Sequence, residues 1–465
     1  MVKTKSLTEG PIFARLLLFT LPIMATGLLQ VFYNMADNIV VGSFSGDELA
    51  LAATGSTASL TALIVNFLMG FGSGAGVLIA QAFGADDEDN LHKGIHTSAA
   101  LAIIGGLSLS LIAFIFAEDF LVLMGTKEVL LSRATLYFRI ISLGIPASTV
   151  FNFGAAILRS VGNSKYQFYI LSTTGIINVL LNLVFVICFK MTVDGVALAT
   201  IISQYLSAIT VVVVLNNRKD YRTKLIFKRI KLHIGTLKRI LRIALPMSLQ
   251  TTLFSISNIL IQTAANALPT LALSAKTIAG NIDNLVYTAI NSYSHSTTTF
   301  IAQNYGANKM KRVKKTIFIS ALQVILVGVI IGQTLLLFGT ELASLFIDAN
   351  DPNKYQIIEY SLEIMTILLN IYFMCGIMDM LSGTIRGLGN SFVPMIIGIV
   401  GICGIRLVWI YCFFPMESLH NLTGLYLSYP ITWVFCITAL SIALLFVYKN
   451  KKNEMQLEKK ETLTK

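Results

Sequence analysis

Long apolar runs, each closed by a short polar cluster, follow one another along almost the whole chain. Twelve can be delimited, near 14–38, 51–80, 93–116, 134–158, 166–189, 193–215, 240–262, 272–302, 314–338, 358–384, 393–414 and 423–448. Each is long enough to span the hydrocarbon of a bilayer, which takes about 20 residues as a helix. No water is available there, so each backbone N–H and C=O must be satisfied inside the span, and a helix does this. The period-two alternation and aromatic girdles of a membrane barrel are missing. The pattern predicts an all-α integral membrane protein with twelve transmembrane helices.

The pattern also repeats. IAQAFGA at 79–85 matches IAQNYGA at 301–307, and LRSVGNS at 158–164 matches IRGLGNS at 385–391. Pro22 with Asn34 matches Pro246 with Asn258 at the same internal spacing. Matches in one order at a near-constant offset mark a duplicated unit. Six spans per half is an even number, so both halves enter the membrane in the same direction, as a parallel repeat of two six-helix lobes. The division is an N-terminal lobe over 1–215, a basic linker over 216–239, a C-terminal lobe over 240–450 and a polar tail over 451–465. Two lobes repeated in this way are an architecture for alternating access, which reads as a transporter.

Composition adds orientation. Hydrophobic residues make up 55% of the chain and charged ones 13%, with a net charge of +11. All but seven of the 35 basic residues fall on one side of the predicted topology; the seven are Lys127, Arg133, Arg139, Lys190, Lys276, Lys354 and Arg406. Basic residues concentrate on the cytoplasmic side, which places both termini and the linker there and the protein in the plasma (inner) membrane. The acidic loop ADDEDN at 85–90 runs against the trend, but acidic residues weigh little in that rule. Beside membrane spans, the linker sequence RKDYRTKLIFKRIKLHIGTLKR suits anionic lipid head groups rather than nucleic acid. No cleavable leader is evident in MVKTKSLTEGPIFAR. The five cysteines lie in or at the edge of apolar runs without a CxxC pair, which points to free thiols.

Candidate chemistry sits where polar residues interrupt the apolar runs. Gln30, Tyr33, Asn34 and Asp37 recur at three- and four-residue steps and share a helix face. A carboxylate inside a membrane costs roughly 2.5–3.5 kcal/mol and marks a functional site by default. In the second half Ile261 takes the place paired with Asp37. There the eighth span instead carries Asp283, Tyr287, Asn291 and Ser294 at helical steps, with His295 deeper. By depth Asp283 and Arg406 are expected to pair. Arg159 and Arg386 end matched helices and are expected to brace loops. The glycines of GFGSGAG at 70–76 permit close helix approach. His92 and His96 are four apart, which suits a metal, but they have no carboxylate or cysteine alongside and read as a solvated face. Met, Phe and Tyr side chains suit adaptable contact with flat cations.

At these residues the sequence resembles the multidrug and toxic compound extrusion (MATE) family, over about 10 to 450. NMADNIVVG at 34–42, the paired AQxxGA segments, the paired RSVGNS and RGLGNS segments and GVALAT at 195–200 carry the resemblance. It implies export of cationic or amphipathic organic compounds in exchange for inward H⁺ or Na⁺, without another cofactor. It further implies that Asp37 binds the coupling ion, joined by Asn178 and Asn182 of the fifth span, Thr200 of the sixth and Tyr137 of the fourth. Na⁺ would be held at Asp37 by oxygens of Asn34, Asn178, Asn182 and Thr200. A single carboxylate among amides favours H⁺. The chain departs from the family pattern in lacking a seventh-span glutamate near Phe254, and Asp379 lies closer to RGLGNS than the family's tenth-span aspartate. Gln30, Tyr33, Asp283, Tyr287, Asn291, His295, Asp379 and Arg406 are candidates for a substrate cleft. Partners are expected to be small organic cations or amphipathic drugs and membrane lipids, with no nucleic acid, and the state a monomer. The alternative is a flippase for a lipid-linked oligosaccharide on the same superfamily fold, but its pyrophosphate would need more basic cleft residues than Arg406 and Arg139. No enzyme motif or selectivity filter supports a non-transport reading.

Overall fold

The computed structural model describes residues 7–44, 50–266, 268–348 and 351–464. The lysines at 3 and 5 that contribute to the orientation argument lie outside these residues. The main helices are α1 (Ile12–Phe44), α2 (Ala50–Gly84), α3 (Glu88–Ile115), α4 (Glu128–Leu143), α5 (Ile145–Ser160), α6 (Lys165–Cys188), α7 (Val193–Asn216), α8 (Ile234–Ala265), α9 (Thr270–Gly306), α10 (Met310–Leu337), α11 (Lys354–Leu369), α12 (Tyr372–Gly387), α13 (Phe392–Phe413) and α14 (Ser428–Thr464). Among the described residues nine helices are long and apolar enough to cross a membrane, or eleven when two bent pairs each count as one span. The remaining expected span is α9. It has 37 residues, but its polar side chains exclude it by composition. Leu107 and Leu111 on α3, Ile330 on α10 and Leu445 on α14 stand more than half exposed, as suits a surface facing hydrocarbon.

The fourth and tenth spans are bent. Helices α4 and α5 meet at 45° and α11 and α12 at 43°. At the first bend Gly144 precedes Ile145–Pro146, and the proline lacks the N–H that would continue the ladder. At the second, Asn370 interrupts the helix and donates to the Thr366 carbonyl at 2.7 Å. The fifth and eleventh spans share another irregularity. A π-helical turn closes α6 at Val184–Cys188, and two such turns, Ile399–Gly404 and Trp409–Phe413, interrupt α13. Pro22 and Pro246 lie inside α1 and α8. The duplication read from short motifs therefore extends to the breaks.

The described residues divide into two compact units, Leu21–Ser248, and Leu7–Thr20 with 249–464. This differs from the boundaries expected at 215 and 240. The linker and the start of α8 belong to the first unit, and the start of α1 to the second. Hydrogen bonds explain the second assignment. Gln323 donates to the Phe13 carbonyl at 2.7 Å, the Leu7 N–H donates to Gln303 at 3.0 Å, and Arg312 binds the Glu9 and Gly10 carbonyls. Phe19 packs edge-on against Phe300.

Close helix contact rests on small residues, as GFGSGAG predicts for the first unit. The Ser160 hydroxyl donates to the Gly76 carbonyl at 2.7 Å, and a Cβ at Gly70 would fall 2.7 Å from Ser248. In the second unit α9 and α12 meet through Gly383. Thr298 donates to its carbonyl at 3.0 Å, and a Cβ there would lie 2.7 Å from the Ser294 carbonyl oxygen. Because one of the two nearest atoms is a backbone oxygen that cannot swing aside, Gly383→Val is expected to lower stability by about 1–3 kcal/mol, the usual cost of overpacking. Thermal unfolding of the detergent-solubilised protein measures this.

Candidate functional site

In the first unit Asp37 meets the fifth span. Asn178 and Asn182 stand one turn apart on α6, so both amides face the same way. Asn182 is fully buried and Asn178 nearly so. The Asn182 amide nitrogen donates to Asp37 Oδ1 at 2.5 Å and to Asn178 Oδ1 at 3.5 Å. Its amide oxygen is buried with no hydrogen-bond partner. The cluster thus contains one carboxylate, two amides and one acceptor without a donor. A proton on the carboxyl or a small cation would complete it, since each supplies what an unpaired oxygen lacks. Among the described residues no three His, Cys, Asp or Glu side chains converge to hold a metal ion.

The other residues implied for this site stand in different relations to it. Tyr137 is within electrostatic reach of Asp37 and packs on the apolar cluster around Val40, Phe138 and Val196. Thr200 donates to the Val196 carbonyl of its own helix at 2.9 Å and is not drawn to Asp37. Asn34 and Gln30 are exposed on α1. Tyr33 donates to the Ser172 carbonyl at 3.2 Å, and its ring lies against Gly175, so it fastens α1 to α6.

Sequence reasoning passed over a cavity in this unit. It is lined by Thr61, Ile64, Leu68, Phe138, Ser148 and Gln204, among others. The side-chain oxygens of Thr61 and Gln204 are buried without partners. Thr61 follows Ser59 in a stretch rich in serine and threonine, and Gln204 follows Ser203, so neither stands out from its neighbours. No periodicity joins residues 61, 148 and 204.

The second unit builds its polar centre from other helices. Asp379 on α12 is buried and accepts from Asn291 of α9 at 2.9 Å. Asn291 also reaches the Tyr287 hydroxyl at 3.3 Å, and Ser294 donates to the Asp379 carbonyl at 2.8 Å. The helical stripe expected to face a cleft therefore joins α9 to α12 at these positions. Asp283 receives a hydrogen bond from Tyr372, and its Oδ1 is buried without a partner. The expected Asp283–Arg406 ion pair is not formed. Arg406 is buried, donates to Ser257 at 3.4 Å and Asn258 at 3.2 Å, and lies 4.2 Å above the Tyr429 ring. Closer neutral partners hold both groups, and Asp283 and Arg406 act on each other only through space. His295 is half-buried in α9. Arg159 and Arg386 donate to Gln167 and Gln250, both at 2.5 Å, so each arginine braces a neighbouring helix.

The MatE family model matches the chain twice, over residues 22–184 and 246–412. The "Probable multidrug resistance protein YoeA" of Bacillus subtilis (strain 168) is 26% identical over 455 residues, covering 97% of each chain. The "Multidrug export protein MepA" of Staphylococcus aureus (strain MSSA476) is 24% identical over 447 residues, covering 95% of this chain and 94% of its own. A solved structure described as "Crystal structure of MATE in complex with MaL6" superposes with a TM-score of 0.88 at 21% identity, over 98% of this chain and 100% of that one.

Removing the Asn182 amide would leave Asp37 without its donor. Asn182→Ala is expected to cost about 1–3 kcal/mol, as for a buried charged group that loses its partner. Asn178→Ala should cost less, because its contact to Asn182 is long. Thermal unfolding of the two variants side by side at neutral pH checks the order.

Proposed function

Because the chain belongs to the MatE family of multidrug efflux transporters, we propose that it exports cationic or amphipathic organic compounds across the plasma membrane in exchange for protons. The Asp37–Asn182 pair with its unpaired amide oxygen carries this reading. A carboxylate held by a single neutral amide can be loaded and unloaded without breaking a salt bridge. Protonation gives it an O–H to donate, and ionisation returns it to the Asn182 N–H. Amides cannot carry the proton, but they fix where the carboxylate points. Na⁺ in the same place would use the oxygens of Asp37, Asn178 and Asn182. The lone carboxylate favours H⁺, since hard cations gain from several charged oxygens.

The mechanism proposed is rocker-type alternating access between two repeated six-helix lobes. The distribution of basic residues supports a cytoplasmic position for both termini. The names of the relatives, which specify multidrug resistance and multidrug export, support the substrate class. The flippase alternative is weakened by Arg406. This buried cation is engaged by Ser257, Asn258 and Tyr429, with no cluster of cations around it to take a pyrophosphate.

Accumulation of a fluorescent organic cation in inverted vesicles, where export from the cytoplasm becomes movement into the lumen, tests the assignment with a pH gradient and a Na⁺ gradient imposed separately. The pH gradient is expected to drive export. Asp37→Asn should reduce it at least about tenfold, towards passive leak, while the protein remains folded, as expected when an intramembrane proton carrier is removed. Export driven only by Na⁺ would make Na⁺ the coupling ion. Unchanged export by Asp37→Asn would remove this residue from the mechanism.

A further inference from the structure

The linker between the two repeats is fastened to the first unit by one histidine whose protonation state the geometry fixes. His96 is 2% exposed in the third turn of α3. Its Nδ1 lies 2.8 Å from the His92 carbonyl oxygen, and its Nε2 lies 3.0 Å from the Ile226 backbone nitrogen in the linker. A carbonyl only accepts and a backbone N–H only donates, so Nδ1 carries the proton and Nε2 is the bare acceptor. The imidazole that fits this position is therefore neutral. A second proton on Nε2 would set two N–H groups against each other at 3.0 Å.

Neighbouring contacts make this bond the centre of the attachment. Leu225 beside it is buried among Ile79, Leu91 and Ile95. The next residue of α3, Thr97, accepts from the His233 N–H at 3.3 Å and lies 3.5 Å from the Lys231 carbonyl. Tyr221 packs edge-on against His92, which stacks on His96 with ring centroids 5.7 Å apart. Three charged or titratable groups act on His96. Its own helix supplies His92, and the linker supplies Arg229 and His233. Glu88, Asp89 and Asp220 act on His92 instead. In the turn before α3, Asp86 is taken by Arg222, and Asp87 is held below the usual carboxylate range by hydrogen bonds from Asn90.

We propose that His96 is a pH-gated latch on the linker. It is closed while the ring is neutral, and it opens when acid places a proton on Nε2 and expels the Ile226 N–H. A free imidazole titrates at about 6.5, and burial makes the second proton harder to add, so the signal such a latch would read is acid below that value, as in a cytoplasm acidified by inward protons. Opening frees the segment 221–233 from α3 and leaves the helices themselves intact.

Hydrogen exchange of the full-length protein in detergent, from about pH 7.5 to about pH 5, tests the latch, with rates normalised to the unstructured peptide. In the wild type, protection of Ile226 and its linker neighbours is expected to fall about tenfold, the worth of one hydrogen bond to a buried group, while α3 beyond residue 100 stays protected. His96→Gln keeps an acceptor near the position of Nε2 and cannot be protonated, so its linker should show the neutral-pH protection throughout. A flat wild-type profile overturns the proposal. So does the same pH step in His96→Gln, or simultaneous loss in the linker and α3, which would be general acid unfolding. If His96→Gln does not fold, the wild-type comparison of linker with α3 decides alone. The readout does not depend on transport, so it stands or falls separately from the proposed antiport.

Discussion

Water does not reach the hydrocarbon of a bilayer, so every polar atom placed there must be answered by another part of the same chain. Most of the structure follows from that constraint. Serines and threonines in the spans return their hydroxyls to a carbonyl one turn back, as Thr200 does to Val196 and Thr149 to Ile145. Asparagines join helices, as Asn291 does with Asp379. Asp37 is the demanding case, because a carboxylate needs a donor that apolar spans rarely supply, and Asn182 provides it. Where α1 passes α6, Tyr33 on Gly175 fixes the distance at which that donor is offered.

The two halves share a scaffold but not a centre. Prolines, bends and π-helical turns recur at matched places, because breaks in a helix depend on local backbone chemistry that duplication copies. The polar centres do not recur. Asp37 faces two amides of the fifth span, whereas its counterpart Ile261 is buried in an apolar core. Asn258, the counterpart of Asn34, accepts from Arg406. The second unit places its carboxylates at Asp283 and Asp379, on the eighth and tenth spans. A duplicated scaffold thus carries two different electrostatic designs.

The spans, the repeat and the Asp37–Asn178–Asn182 grouping were legible in the sequence, the first two from periodicity and the third through family resemblance. Spacing along one helix reveals a shared face, and that was enough for Asn178 and Asn182. It does not say which neighbour a side chain meets. Tyr33 looked like part of a ligand stripe and proves to be a packing contact, because Gly175 on another helix leaves room for its ring. Asp283 and Arg406 were matched by depth, but rotation about each helix turned them to Tyr372 and to Asn258 and Tyr429. His92 and His96 read as a solvated face because the partner, Ile226, lies 130 positions away in a linker with no regular period. The assignment of residues 7–20 to the second unit rests on backbone carbonyls bound by distant side chains, and no sequence pattern encodes that.

The buried polar atoms that find no partner are as informative as those that do. Leaving such a group unpaired costs about 1–3 kcal/mol, so folding alone gives no reason to keep it. In the first unit the Asn182 oxygen adjoins the carboxylate of Asp37, and the Thr61 and Gln204 oxygens belong to residues that line the cavity. In the second, Asp283 Oδ1 and Arg406 Nε belong to a pair of opposite charges that the fold brings near without joining. A protein built only to sit in a membrane would pair these groups with each other or replace them with carbon. Their retention fits the proposed exchange, in which partners arrive and leave.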